Sequence, residues 1–236
     1  MKRQLRAPFL IVNPKAYIYG KEALELAKTC EELAVQYDVD IIYTAQHTDL
    51  RMIADATEHI IVTAQHMDGI VPGRGMGHIL PESIVDAGAQ AVVLNHSEHP
   101  LGTAALAAAM KRAKELDLIT IICADTPEEC AAVAQFAPDV MIIEPVSGIG
   151  TGHASSDDYM NATNAAVRAV NPDIFILQAA GISTGEDVYR SILNGSHASG
   201  GTSGILKAPD RRAKIIEMIE AMQKAAAELE ENHAAE

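Results

Sequence analysis

Lys15, His96 and Glu144 each stand within three residues of the end of a separate short apolar run. A lysine can bind an anion, a histidine can polarise a carbonyl group, and a carboxylate can remove a proton from carbon. Together these groups could catalyse an aldose–ketose isomerisation through an enediol, which needs neither a metal ion nor a cofactor. Each residue alone is more often a surface charge or a structural group, so the prediction depends on their joint placement.

The apolar runs belong to a regular alternation of strand-like and helix-like segments. Short runs rich in β-branched residues predict eight strands, at residues 9–12, 39–44, 60–64, 91–94, 119–123, 140–143, 174–177 and, more weakly, 198–202. Between them, apolar residues three and four positions apart predict helices at residues 21–36, 103–116, 127–136, 157–170, 185–193 and 209–230.

An unbroken alternation of this kind requires parallel strands joined by right-handed crossovers. Eight such units close a barrel, and an open doubly wound sheet rarely needs as many strands in a chain of 236 residues. We therefore predict an α/β fold, a (β/α)8 barrel, that forms a single domain over residues 1–236. Catalytic groups of such barrels lie at the carboxyl ends of the strands, so Lys15, His96 and Glu144 should meet at one mouth.

Composition narrows the classes of partner and compartment. The net charge of −14 opposes binding to nucleic acid or to an anionic membrane, and the sequence contains neither a basic patch nor a membrane span. Cys30, Cys123 and Cys130 lack metal-ligand spacing, which favours reduced thiols in a cytoplasmic protein. The apolar run near the first residue is too short for a signal peptide. The histidines show no metal-binding pattern, so no metal site is expected.

Three motifs occur in the same order and at comparable spacing in a known enzyme family: Asn13-Pro14-Lys15, His96-Ser97-Glu98, and Glu144-Pro145 followed by Ile149-Gly150-Thr151-Gly152. In these motifs the sequence resembles the triosephosphate isomerases, from Asn13 to about Asp210. Segments 64–65, 77–81 and 181–187 are similar to the shorter, archaeal-type branch, which forms dimers or tetramers. The resemblance implies a homodimer or homotetramer that interconverts glyceraldehyde 3-phosphate and dihydroxyacetone phosphate without a cofactor.

The resemblance also implies roles for individual residues. Glu144 would be the base that moves the proton, His96 the neutral electrophile, and Lys15 the cation that holds the phosphate, with Asn13 assisting; this family is itself a standard illustration of such catalysis. Ser97 and Glu98 would support them, Glu98 by orienting the lysine. The remaining phosphate-binding positions would be Gly150, Gly181, Thr202 and Ser203. Segment 146–152 resembles the lid over bound substrate, and segment 67–76 the loop that interdigitates in the dimer.

Three features depart from the family pattern. Pro14 replaces a bulky residue and lacks a backbone donor, and segment 198–204 lacks the apolar side chains expected of a barrel strand. Ser147 and Gly148 are small where relatives carry larger side chains, so a four-carbon phosphorylated ketose of the erythrulose phosphate type is an alternative substrate. A phosphosugar-binding barrel without catalytic activity is a second alternative.

Overall fold

The computed structural model describes residues 2–148, 150, 152 and 154–234, and its strands form a closed parallel barrel. The strands are β1 (Phe9–Val12), β2 (Ile41–Ala45), β3 (Ile61–Ala64), β4 (Ala91–Leu94), β5 (Ile119–Ala124), β6 (Val140–Ile143), β7 (Phe175–Gln178) and β8 (Ala198–Gly201). Each strand pairs with the next in sequence, and β8 pairs with β1 to close the barrel. The predicted (β/α)8 barrel is confirmed.

Helices follow the strands and cover the outside of the barrel. They are α1 (Gly20–Tyr37), α2 (Leu50–Ala54), α3 (Pro81–Asp86), α4 (Thr103–Glu115), α5 (Pro127–Ala134), α6 (Asp157–Val170), α7 (Gly185–Leu193), α8 (Ser203–Leu206) and α9 (Arg211–Ala234). Helices α2, α3 and α8 were not predicted, because helices of four to six residues are too short to show a 3.6-residue period. None of the described helices combines the length and hydrophobicity that a bilayer crossing requires.

Two hydrophobic layers stabilise the barrel. Successive side chains of a strand point to opposite faces, so β1 to β7 each contribute to both layers and have nearly continuous apolar sequences. One layer fills the barrel and includes Phe9, Ile42 and Ile121. The other lies between strands and helices and includes Leu10 and Ile41. Burial on both faces explains why short apolar runs located the strands well.

The unusual composition of β8 follows from its contact with β1. The two strands are paired over four residues, whereas β8 and β7 share one registered pair. Gly200 has φ +133°, and a Cβ atom there would lie 2.2 Å from the carbonyl oxygen of Ile11. Only glycine fits such a position. Ser199 is fully buried, and its hydroxyl donates a hydrogen bond to the carbonyl oxygen of Gln178 at 3.2 Å.

Candidate active site

The carboxyl ends of β1, β4 and β6 bring the predicted side chains to one mouth of the barrel. Asn13, Lys15, His96 and Glu144 line a cavity of about 20 Å³. The other residues that line it come from the strands and their ends: Ile11, Ile142, Ala179, Gly201 and Thr202. A lysine, a histidine and a carboxylate from three different strand ends therefore face one small space.

Glu144 is held in that space by both its backbone and its carboxylate. Its N–H donates to the carbonyl oxygen of Ala124 at 3.0 Å, which fixes the residue at the end of β6. Its Oε1 accepts a hydrogen bond from the N–H of Ala180 at 3.2 Å, and its Oε2 lies 3.6 Å from Nε2 of His96. The side chain is only 15% exposed. Few water molecules therefore compete with a substrate for this carboxylate.

The hydrogen bonds of His96 define its tautomer. The N–H of Glu98 lies 3.1 Å from Nδ1 of His96. A backbone N–H can only donate, so Nδ1 is the acceptor and the ring is neutral with its proton on Nε2. Because Nε2 is the ring nitrogen near Glu144, the ring presents a neutral N–H donor to the space beside the carboxylate.

Lys15 has an unusual backbone conformation and a mostly buried side chain. Its φ is +49°, in the left-handed region. The side chain is 12% exposed, and Nζ lies 2.8 Å from Oε1 of the more exposed Glu98. Its N–H donates to Oδ1 of Asn13 at 3.0 Å, and the same oxygen accepts the hydroxyl of Thr44 at 2.6 Å. Asn13 thus contacts the backbone of the lysine, and Glu98 contacts its ammonium group.

A second cavity adjoins the first and contains the predicted phosphate-binding positions. It has a volume of about 40 Å³ and shares Lys15 and Glu144 with the first cavity. The predicted phosphate-binding positions that line it are Gly150, Gly181, Thr202 and Ser203. Ser203 is the first residue of α8, so its N–H has no acceptor within the helix. Backbone donors and one ammonium group are suited to an anion. The Gly- and Ser-rich composition of segment 198–204 departs from the family pattern, yet the predicted phosphate-binding positions still line one cavity.

A third cavity, of about 250 Å³, lies on another side of Glu144 and is lined by Ser97 and Cys123 among others. Ser97 therefore contacts this space and does not line the two smaller cavities. Burial, and then the nearby Glu144, raise the pKa of the Cys123 thiol. The thiol remains protonated at neutral pH and is no candidate nucleophile.

The predicted lid is only partly within the described residues. Val146–Gly148 form a 3-10 turn, and Gly150 and Gly152 have φ values of +75° and +74°. Ile149 and Thr151 lie outside the described residues.

Two glutamines at the mouth were missed as site residues. Gln46 and Gln65 follow β2 and β3 directly, and with Lys15 and His96 they line a cavity of about 320 Å³. The rule that identified Lys15 and Glu144, polar residues just after a strand, also selects them. The donor at Ala180 had no comparable signal, because it is a backbone group.

Comparisons with known proteins agree with this geometry. A model of the family described as triosephosphate isomerase matches residues 8–222. The chain is 37% identical to a triosephosphate isomerase of Methanothermus fervidus, over 91% of this chain and 99% of that protein. It is 39% identical to one of Caldivirga maquilingensis, over 91% and 97%, and 35% identical to one of Sulfolobus acidocaldarius, over 93% and 99%.

Proposed function

This chain belongs to the triosephosphate isomerase family, and from that premise we propose that Glu144, His96, Lys15 and Asn13 are its catalytic residues. The activity is an intramolecular aldose–ketose isomerisation that interconverts glyceraldehyde 3-phosphate and dihydroxyacetone phosphate. One observation carries the assignment of residues. Oε2 of Glu144 lies 3.6 Å from Nε2 of His96, in a cavity that Lys15 also lines.

In the proposed mechanism Glu144 removes a proton from the carbon next to the substrate carbonyl. The Nε2–H of His96 donates to the carbonyl oxygen, and Lys15 compensates the negative charge that develops on it. Glu144 then returns the proton to the former carbonyl carbon, and the hydroxyl proton of the enediol moves to the former carbonyl oxygen, so the isomerisation is complete and no other reactant is consumed. A neutral histidine electrophile and a closing lid are features for which this family is a standard example.

The same proposal places the phosphate in the cavity beside the reacting carbons. Lys15 supplies positive charge, and Gly150, Gly181, Thr202 and Ser203 supply backbone groups and hydroxyls. Because the protein carries a net charge of −14, binding of an anion depends on these local donors. Lys15 lines both small cavities, so it can contact the phosphate and the reacting oxygen together.

The comparisons favour this substrate over the alternatives. The relatives are triosephosphate isomerases matched along nearly their full length, which does not favour a four-carbon phosphoketose as substrate. A barrel that only binds phosphosugars is also not favoured, since Lys15, His96 and Glu144 all face the site.

Activity is tested by isomerisation of glyceraldehyde 3-phosphate by the purified protein, measured beside a four-carbon phosphoketose. We expect rapid turnover of the triose, abolished in Glu144→Gln. Turnover of the four-carbon phosphoketose without turnover of the triose would favour the alternative substrate. Failure to convert either sugar would favour a binding role.

We also propose that the protein is a homodimer or homotetramer whose interface includes the loop at residues 67–76. The base of this loop is closed by Asp68, whose N–H donates to the carbonyl oxygen of Ile79 at 3.0 Å. The carboxylate of Asp68 accepts the N–H of Ile79 at 2.6 Å. Arg112 Nε donates to the carbonyl oxygen of Ile70 at 3.1 Å. A loop anchored in this way holds its exposed side chains in place.

The exposed side chains of this loop are those of Val71, Pro72, Arg74 and Met76, of which only Arg74 is charged. Met76 is fully exposed and Val71 mostly exposed, and Tyr17 and Tyr19 in the loop after β1 are mostly exposed as well. Exposed apolar groups on ordered loops support a protein–protein contact.

We expect a dimer or larger species by sedimentation velocity at micromolar concentration, and we expect Met76→Asp to shift it toward the monomer. The charge would be desolvated in the interface without a partner. Val35→Asp is the matched control, since Val35 is also an exposed apolar residue but lies on α1. A monomeric wild-type protein would contradict the proposed interface.

Residues 1–236 are proposed to form one domain, located in the cytoplasm. The long helix α9 packs against α7 and against the barrel, which supports a single unit. Cys30, Cys123 and Cys130 are unpaired and buried, which is typical of proteins in reducing compartments.

A further inference from the structure

Both backbone polar groups of Lys15 are bound by side chains from three strand ends. Its N–H donates to Asn13. Its carbonyl oxygen accepts two hydrogen bonds, from Nε2 of Gln46 at 3.2 Å and from Nε2 of Gln65 at 2.9 Å. The two glutamines are themselves joined, because Nε2 of Gln46 donates to Oε1 of Gln65 at 2.6 Å. We call Gln46 and Gln65, with these three hydrogen bonds, the glutamine clamp.

The hydrogen bonds also fix the orientation of both amides. A carbonyl oxygen only accepts, so each glutamine must direct its NH₂ group toward Lys15. In that orientation the remaining oxygen of Gln65 faces the NH₂ group of Gln46, so the two amides are mutually consistent. The fully buried Thr44 continues the network, since its hydroxyl donates to Oδ1 of Asn13.

Lys15 requires such support because of its backbone. A φ of +49° is unfavourable for a residue with a side chain, and it persists only when the surroundings determine it strongly. Pro14 precedes the lysine and brings no N–H of its own. Its carbonyl oxygen accepts the N–H of Tyr17 at 3.1 Å, which places Lys15 inside a tight turn. Without these hydrogen bonds the backbone would relax toward a negative φ, which would turn the side chain and move the ammonium group relative to the two small cavities.

We propose that Gln46 and Gln65 are positioning residues for the isomerisation, which act by holding the carbonyl of Lys15 so that its ammonium group reaches the substrate. The inference rests on the proposed function of Lys15. It adds two residues that line neither of the small cavities, although they line the cavity of about 320 Å³ with Lys15 and His96. In this proposal they influence catalysis through the lysine.

A structural role must be separated from this one, because the glutamines also line the cavity of about 320 Å³ with His47, His66 and His99. A loss of activity by itself would not distinguish a misplaced lysine from a loosened loop. Coupling to Lys15 distinguishes the two cases. If the clamp acts only through Lys15, its removal should have little further effect on activity once the ammonium group of Lys15 has been removed.

The experiment compares Gln46→Met, Gln65→Met and the double variant with the wild-type protein. Methionine keeps the length of the side chain and removes its hydrogen bonds. We expect each single variant to lose about 2- to 5-fold in kcat/KM, because one donor to the carbonyl remains, and the double variant to lose about 50-fold. Gln90→Met is the matched control, an exposed glutamine that precedes β4 at the opposite end of the barrel.

The same substitutions are then made in Lys15→Met. In that background, we expect the two glutamine substitutions together to lower the remaining kcat/KM of Lys15→Met by less than about 2-fold. A clamp effect of the same size with and without the lysine would overturn the proposal, as would a folded double variant with wild-type activity. If thermal unfolding shows that the double variant does not fold, the comparison between the wild-type and Lys15→Met backgrounds is made with Gln46→Met alone.

A second measurement does not depend on turnover. Binding of inorganic phosphate, followed by calorimetry, should weaken in the double variant by about 10-fold and stay unchanged in Gln90→Met. If the wild-type protein binds phosphate but isomerises neither sugar, the proposed function fails while this test of the clamp still applies. If Lys15→Met lowers phosphate affinity and the double variant does not, the clamp is overturned and the proposed function stays intact.

Discussion

Glu144→Asp is expected to lower kcat by about 10²- to 10⁴-fold while phosphate affinity stays close to that of the wild-type protein. The substitution keeps the carboxylate and withdraws it by one methylene group from the space shared with His96. The distance of 3.6 Å between Oε2 of Glu144 and Nε2 of His96 leaves the base and the electrophile adjacent to one substrate. A shortened base would no longer reach the proton in the transition state.

The measurement is steady-state kinetics in both directions, with inhibition by inorganic phosphate as a separate report on binding. A loss confined to kcat identifies an interaction made only in the transition state. Glu25→Asp on the exposed face of α1 is the matched control. If kcat of Glu144→Asp were within 2-fold of wild type, Glu144 could not be the base.

The sequence predicts the barrel well because its strands are buried on both faces. Residues 9–12, 91–94 and 140–143 were located to the residue, since uninterrupted apolar runs have sharp ends. The polar residue after such a run lies at the carboxyl end of a parallel strand, and this topology places Lys15, His96 and Glu144 together. The positions of the strand ends are therefore sufficient to predict which residues meet at the site, and the family motifs then suggest the role of each.

What the sequence does not predict depends on backbone contacts between distant segments. The glycine at position 200 is explained by the carbonyl oxygen of Ile11, which no local pattern reveals. The donor of Ala180 to Glu144 is a backbone group, and the left-handed φ of Lys15 is unusual for lysine. Pro14 appeared to remove a donor from the site, whereas the structure holds the adjacent lysine through the side chains of Asn13, Gln46 and Gln65.

Lys15→Met is expected to lower kcat/KM by about 10³-fold or more, with both kcat and KM affected. Lys15 lines both the cavity of the reacting groups and the cavity of the proposed phosphate. Its loss would remove attraction for the bound anion and stabilisation of the charge that develops on the substrate oxygen. The size of the effect reflects its mostly buried position, where water screens charges less than at the surface.

Kinetics and phosphate titration of Lys15→Met, with Lys111→Met as control, measure this effect. Lys111 is an exposed lysine on α4 whose Nζ lies 3.9 Å from Oε1 of Glu115. Removing either lysine changes the net charge of −14 by the same amount, so the long-range field changes equally. A large loss in Lys15→Met alone would show that one positioned cation at the mouth, and not the overall charge, binds the substrate. Retained phosphate affinity in Lys15→Met would mean that the anion is held by the backbone groups of the loops after β7 and β8, with the lysine acting on the reacting oxygen alone.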